Sequence, residues 1–86
     1  MKIKEGFVLR EVAGSAVVMN VGGELSFNKM ITLNESGVII WRCIEKGLAP
    51  DAIADELCSV YEVEKATALG DVNSFIAKMK ELAVIE

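Results

Sequence analysis

The period of the apolar positions changes once along this chain, at Asn34. Before it, short runs of branched and aromatic residues alternate with Gly-containing turns. Residues 6–12 (GFVLREV) are followed by Ala13-Gly14-Ser15, residues 16–21 (AVVMNV) by Gly22-Gly23-Glu24, and residues 25–33 (LSFNKMITL) complete the set. Runs of this kind, punctuated by turn residues, predict three strands joined as antiparallel hairpins.

From Asn34 onward the spacing is helical. Asn34 is a good N-cap, because its side-chain oxygen can accept from the free backbone N–H groups of the first turn, and Glu35 complements the helix dipole there. Val38, Trp41, Ile44 and Leu48 recur at helical intervals with Ile40 beside them, and Lys46-Gly47 supplies a stop. Pro50 suits the first turn of a second helix, whose buried stripe is Ile53, Leu57 and either Val60 or Tyr61. A third helix is expected over residues 64–82. Its apolar face is Leu69, Val72, Phe75, Ile76, Met79 and either Leu82 or Ala83, with Asp71, Asn73, Ser74, Lys78 and Glu81 off it. Gly70 costs that helix about 1 kcal/mol relative to Ala and reads as a close-packing point or a bend. Residues 83–86 are a tail that frays or adds a scrap of strand.

The order of elements predicts one α+β domain over residues 1–86: a three-stranded antiparallel sheet followed by three helices. A short helix, a turn and a longer helix make the second half similar to a winged helix-turn-helix.

Composition narrows the chemistry. Hydrophobic residues make up 52% of the 86 and charged residues 26%, which is a folded rather than a disordered composition. There is no His, so the commonest general base and metal ligand is missing and a Ser-His nucleophile at Ser36 is excluded. Cys43 and Cys58 have neither CxxC spacing nor His partners and read as buried thiols rather than zinc ligands. No catalytic set, metal site or cofactor is expected. Gly22-Gly23 is too short a pattern for a phosphate loop. The spacing of Trp41 places it in the core rather than on a ligand platform. No segment reads as a signal peptide or a membrane span, so a cytoplasmic location is the default.

The stretch over residues 27–41 (FNKMITLNESGVIIW) resembles the signature of PqqD-like proteins, also called RiPP recognition elements: a strand, then Leu-Asn-Glu-Thr/Ser-Gly/Ala, then an apolar stretch ending in Trp or Leu. Leu33-Asn34-Glu35-Ser36-Gly37 and Trp41 carry the match. Pro50, Ile53, Leu57, Tyr61, Val63, Asp71, Val72 and Phe75 extend it downstream. The family commonly has Gly before a final apolar pair, where this chain has Ala83 before Val84 and Ile85. The resemblance implies a non-catalytic module that binds the leader segment of a ribosomally made precursor peptide as an added strand on the sheet edge, beside the third helix. It presents that peptide to a radical SAM or other modifying enzyme, with coenzyme PQQ synthesis as one such pathway.

By that resemblance the binding edge is the third strand, around Asn28, Lys29, Met30, Ile31 and Thr32. Strand alternation puts Met30 and Thr32 on one face and Lys29 and Ile31 on the other, and leaves open which set faces the groove. Met30 and Ile31 are equally readable as core, and Lys29 as a solvated charge protecting an edge. On the third helix, Asp71, Ser74 and Lys78 stand at i, i+3 and i+7 and share one polar stripe, read either as a groove wall or as a solvated face. Val72 and Phe75 belong to the neighbouring apolar face, one border of which would floor a peptide pocket.

Two other classes compete. A winged-helix DNA-binding domain would need a basic recognition helix, but residues 64–82 hold three acids and three lysines without Arg, and the chain carries a net charge of -4. A structural or toxin-associated adaptor is the other alternative, since a sheet edge accepts any extended strand. No nucleic-acid or membrane partner is expected. The chain is expected as a monomer, with a dimer through the sheet edge as the alternative.

Overall fold

The computed structural model describes residues 2–21 and 30–86. Two strands, β1 (Phe7–Val12) and β2 (Ser15–Asn20), are joined by the two-residue turn Ala13-Gly14. Both turn residues have positive φ, +52° and +83°. That is the type I′ conformation, whose twist matches that of the flanking strands. β3 (Ile31–Leu33) pairs antiparallel with β2, giving the order β1-β2-β3. The expected turn at Gly22-Gly23-Glu24 and residues 25–29 of the expected third strand lie outside the described residues.

The sheet has one committed face. Leu9, Val18 and Ile31 form a cross-strand row, with Ala16 and Leu33 beside it, and all five pack into the core. Ile31 and Leu33 therefore point towards the helices. Thr32, opposite Val17, points away and is exposed, and Met30 just before the strand is 54% exposed.

Three helices cover that face: α1 (Glu35–Glu45), α2 (Pro50–Val60) and α3 (Lys65–Glu81). The Asn34 cap forms as its sequence predicts: Oδ1 accepts from the Gly37 N–H at 2.8 Å and from the Ser36 hydroxyl at 3.1 Å. Trp41 is fully buried, and its indole N–H donates to Glu45 Oε2 at 3.0 Å. Its polar atom is thus satisfied where burial would otherwise penalise it. α3 contributes Ala68, Val72, Ile76 and Met79 to the core, while Leu69 and Phe75 flank this stripe half-buried. Of the two candidates ending the α2 stripe, Tyr61 packs against the core and Val60 is exposed. Cys43 is buried and Cys58 half-buried, both as free thiols. Burial, reinforced by the charge of Glu56, pushes the Cys43 thiol up and keeps it protonated.

The C-terminal residues do not fray. Val84 and Ile85 are buried, Ile3 bridges Ile85, the Lys4 N–H donates to the Val84 carbonyl at 2.8 Å, and the Glu86 N–H donates to the Lys2 carbonyl at 2.9 Å. Leu82, one of two residues expected to end the apolar face of α3, is 38% exposed, because the chain leaves the helix there and Val84 and Ile85 fill the space instead. α1 and α3 end in the same way. In α1 the Gly47 N–H donates to the Ile44 carbonyl and the Leu48 N–H to that of Cys43; in α3 the Ala83 N–H donates to Lys80 and the Val84 N–H to Met79. This is the Schellman pattern, which needs a left-handed residue after the cap. Gly47 fills that role in α1 with φ +82°, and Ala83 fills it in α3 with φ +63°.

Gly37 and Gly70 have opposite surroundings. A Cβ at Gly37 would stand 3.1 Å from Asn34 Oδ1, 3.3 Å from Leu33 Cβ and 3.5 Å from Phe75 Cε2. At Gly70, which is exposed, it would meet nothing within 4 Å, so close packing does not explain that glycine.

These helix details make two substitutions informative at the left-handed positions and two within the helices. Left-handed backbone costs an L-residue about 1–2 kcal/mol, and an added glycine returns part of that as unfolded-state entropy. Ala83→Gly should therefore stabilise the domain by roughly 0.5–1 kcal/mol, raising Tm by a few degrees, and Gly47→Ala should lower it. A lower Tm for Ala83→Gly would count against the left-handed helix end. For the helical glycines, Gly70→Ala should gain up to about 1 kcal/mol. Gly37→Ala should instead lose about 1 kcal/mol, because Asn34 and buried Leu33 have no room to yield and the cap is weakened. Urea denaturation of the two variants checks the sign of each.

Candidate functional site

β3 is an edge strand: β2 pairs with one side of it, and among the described residues no strand pairs with the other. An edge of this kind presents backbone N–H and C=O groups to any extended chain that lies beside it. Between that edge and α3 runs a groove of about 410 Å³. Ile31, Leu33, Phe75 and Met79 give it an apolar lining, and Thr32 and Asn34 add polar groups along the strand side. Lys78 is its only charged lining residue among the described residues. Gly37, in the first turn of α1, also lines it, with the Phe75 ring nearby.

Local sequence explains why these pieces meet. Leu33 ends β3 on a buried side chain, Asn34 turns the chain into α1 by capping it, and Gly37 leaves room for the cap oxygen and the Leu33 side chain. Phe75 lies one position before buried Ile76, so it sits on the border of the α3 core stripe and is half-buried. Past Asn34 the surface continues into a second recess of about 450 Å³, lined by Asn34, Glu35, Ser36, Tyr61, Val63 and Asp71.

The residues proposed from sequence are distributed unevenly over this geometry. Ile31, Thr32, Phe75 and Lys78 come together in the groove. Met30 precedes β3 and is exposed, while Asn28 and Lys29 lie outside the described residues. Val72 has no exposed surface at all, because it occupies the centre of the Ala68–Val72–Ile76–Met79 stripe, and it is a core residue rather than a contact. Asp71 shares a helix stripe with Lys78 but lines the second recess instead of the groove, and Ser74 is exposed between them and lines neither. Leu33, Asn34, Gly37 and Met79 are groove residues that sequence reasoning assigned to cap, motif or core. The Leu-Asn-Glu-Ser-Gly motif was the signal for the first three, since a capped helix start directly after a strand must lie at the end of that strand.

A hollow of similar size, about 460 Å³, lies beside residues 2–7 and the end of α1. Residues 2–4 of its wall pair with residues 84–86, and Phe7, the first residue of the other edge strand β1, completes it. Among the described residues no group of three or more His, Cys, Asp or Glu is placed to hold a metal, and no helix is long and apolar enough to cross a membrane. The start of α3 is electrostatically occupied. Lys65 Nζ lies 2.8 Å from Asp55 and 3.4 Å from Asp51, and its hydrogen bond to Asp55 raises its pKa. That leaves Lys78 and Lys80 as the remaining lysines of α3, beside Asp71 and Glu81, which is not the basic face a DNA-reading helix needs.

No curated protein matches the chain. Among solved structures, it is similar to one described as TbiB1 in complex with the TbiA(beta) leader peptide, with 26% sequence identity, a TM-score of 0.83 and coverage of 100% of this chain and 95% of that one. The fold is also shared with a structure described as lasso peptide synthetase B1 complexed with the leader peptide, with 23% identity, a TM-score of 0.76 and coverage of 93% and 89%. The sequence model of the family described as Coenzyme PQQ synthesis protein D (PqqD) matches residues 15–85, a span that runs from β2 through α3 to the paired C-terminal residues, and the chain belongs to that family.

Proposed function

We propose that this protein is a leader-peptide-binding module, which takes the leader of a ribosomally made precursor as an added strand on β3, against α3, and presents it to a separate modifying enzyme. One observation carries this reading: an open strand edge forms one wall of an apolar groove, in a fold shared with TbiB1, whose structure contains a leader peptide. Backbone pairing along β3 supplies affinity that does not depend on sequence, and Ile31, Leu33, Phe75 and Met79 supply an apolar surface for alternate side chains of the guest. Met30, exposed just before β3, extends this surface, and Thr32 and Lys78 add polar contacts. The module has no catalytic role in this reading. The chemistry belongs to its partner, a radical SAM enzyme or another peptide-modifying enzyme, and the work takes place in the cytoplasm.

Amide NMR of the labelled protein, titrated with leader segments of short peptides encoded beside its gene, tests the reading. Saturable shifts concentrated in residues 30–33 and in α3 are expected; no shift with any of them would move the function towards an adaptor for another protein. A second test uses the strand itself. Successive N–H groups on a strand point to opposite sides, so one of Ile31 and Thr32, both within β3, directs its donor outward. Proline removes that donor. Loss of one main-chain hydrogen bond should weaken peptide binding by roughly three- to tenfold for one of Ile31→Pro and Thr32→Pro. Unchanged affinity in both variants, each shown to be folded, would sink strand addition at β3.

A further inference from the structure

We propose that opposite charges at the two ends of the groove select a guest with an acidic side chain opposite Lys78 and a basic one opposite Glu35 and Asp71, and so fix the direction in which it lies. This rests on the proposed function, in which the groove holds an extended peptide.

At one end stands Lys78, among Ile31, Thr32, Phe75 and Met79. Among the described residues Lys78 makes no ion pair, whereas Lys65 at the other end of the same helix has two carboxylates. A strand laid on β3 displaces water from the Lys78 ammonium, and a carboxylate on that strand is the group that best replaces it. At the other end, past Asn34, Glu35 and Asp71 face the second recess without a cation among its lining residues. The same recess has apolar walls in half-buried Tyr61 and in Val63, which is 41% exposed. Apolar walls beneath carboxylates suit the stem and head of a Lys or Arg side chain. Asn34 lines both the groove and the recess, so the two adjoin there.

The spacing is set by α3. Asp71 and Lys78 are seven residues apart, about 10 Å along a helix at 1.5 Å per residue. An extended guest at about 3.3 Å per residue covers that in roughly three residues, and because alternate side chains share a face, the acid and the base should be about two or four positions apart. A guest bound in reverse would set like charges against each other at both ends, which disfavours that orientation.

A displayed library of random short peptides, selected separately on the wild-type protein, on Lys78→Glu and on Asp71→Lys, tests the inference. All three should remain folded, since Asp71 and Lys78 are exposed on α3. Wild-type selection should enrich Asp or Glu at one position and Lys or Arg about two or four positions away. Lys78→Glu should invert the first preference, and Asp71→Lys, which leaves Glu35 facing the new lysine, should abolish the second. Peptides synthesised from the wild-type consensus should lose about three- to fivefold in affinity for each variant, the range of a partly exposed ion pair. Enriched extended peptides without this charge pattern, or a pattern that neither variant changes, would overturn the inference while leaving strand addition standing. Enrichment of no peptide by the wild type would overturn both.

Discussion

The Asn34–Gly37 junction holds the site together. Here a side-chain oxygen caps α1, the last strand residue is buried, and the missing Cβ of Gly37 keeps the cap oxygen and Leu33 uncrowded. A strand as short as β3 gains little definition from its own pairing with β2. Its position is set instead by α1, the next element in the chain, whose capped start admits one arrangement. An N-cap of this type contributes about 1 kcal/mol, a substantial fraction of the stability of a domain this small. The same few atoms therefore fix the strand edge and the start of α1, which together with Phe75 and Met79 of α3 line the groove.

An open edge is a hazard as well as a resource, because it pairs as readily with another copy of the chain as with a guest. The sheet limits that exposure in two ways. β3 is short, and its helix-facing residues Ile31 and Leu33 are packed into the core, leaving mainly backbone and Thr32 for a newcomer. α3 also overhangs the edge through Phe75 and Lys78, so an incoming strand must fit between the sheet and a helix. A flat sheet-to-sheet contact is geometrically poorer there than the insertion of a single extended segment.

Much of this was legible in sequence, and the parts that were not share a cause. Hydrophobic spacing places Trp41, Ile53, Leu57, Val72, Ile76 and Met79 in the core, and all are buried. Asn34, Gly47 and Pro50 mark helix ends through local chemistry, which needs no knowledge of the rest of the fold. Periodicity fails where the backbone leaves its regular path. Leu82 has the spacing of a core residue, but the left-handed turn at Ala83 redirects the chain and gives the position to Val84 and Ile85. Val60 and Tyr61 could not be separated by spacing alone, because the helix ends between them. The groove itself depends on which side of α3 lies against β3, a tertiary fact, so the polar stripe of Asp71, Ser74 and Lys78 read from spacing divides among two recesses and open solvent.

The short edge also bounds how strongly such a module can bind. Each main-chain hydrogen bond to β3 contributes about 0.5–1.5 kcal/mol net, and a strand of three residues offers only a few of them. The apolar lining has to supply most of the remainder, at about 25 cal/mol for each Å² removed from water, against the cost of ordering an unstructured guest. A groove of this size, open along one side, therefore suits binding that is selective yet reversible. Reversibility is what a peptide carrier needs, because a guest held too tightly would not be passed on. Tethering the guest near an enzyme raises its effective concentration there without requiring either partner to bind it tightly alone. Under the proposed function, a groove with an open backbone edge, an apolar lining and Lys78 beside it suits that division of labour.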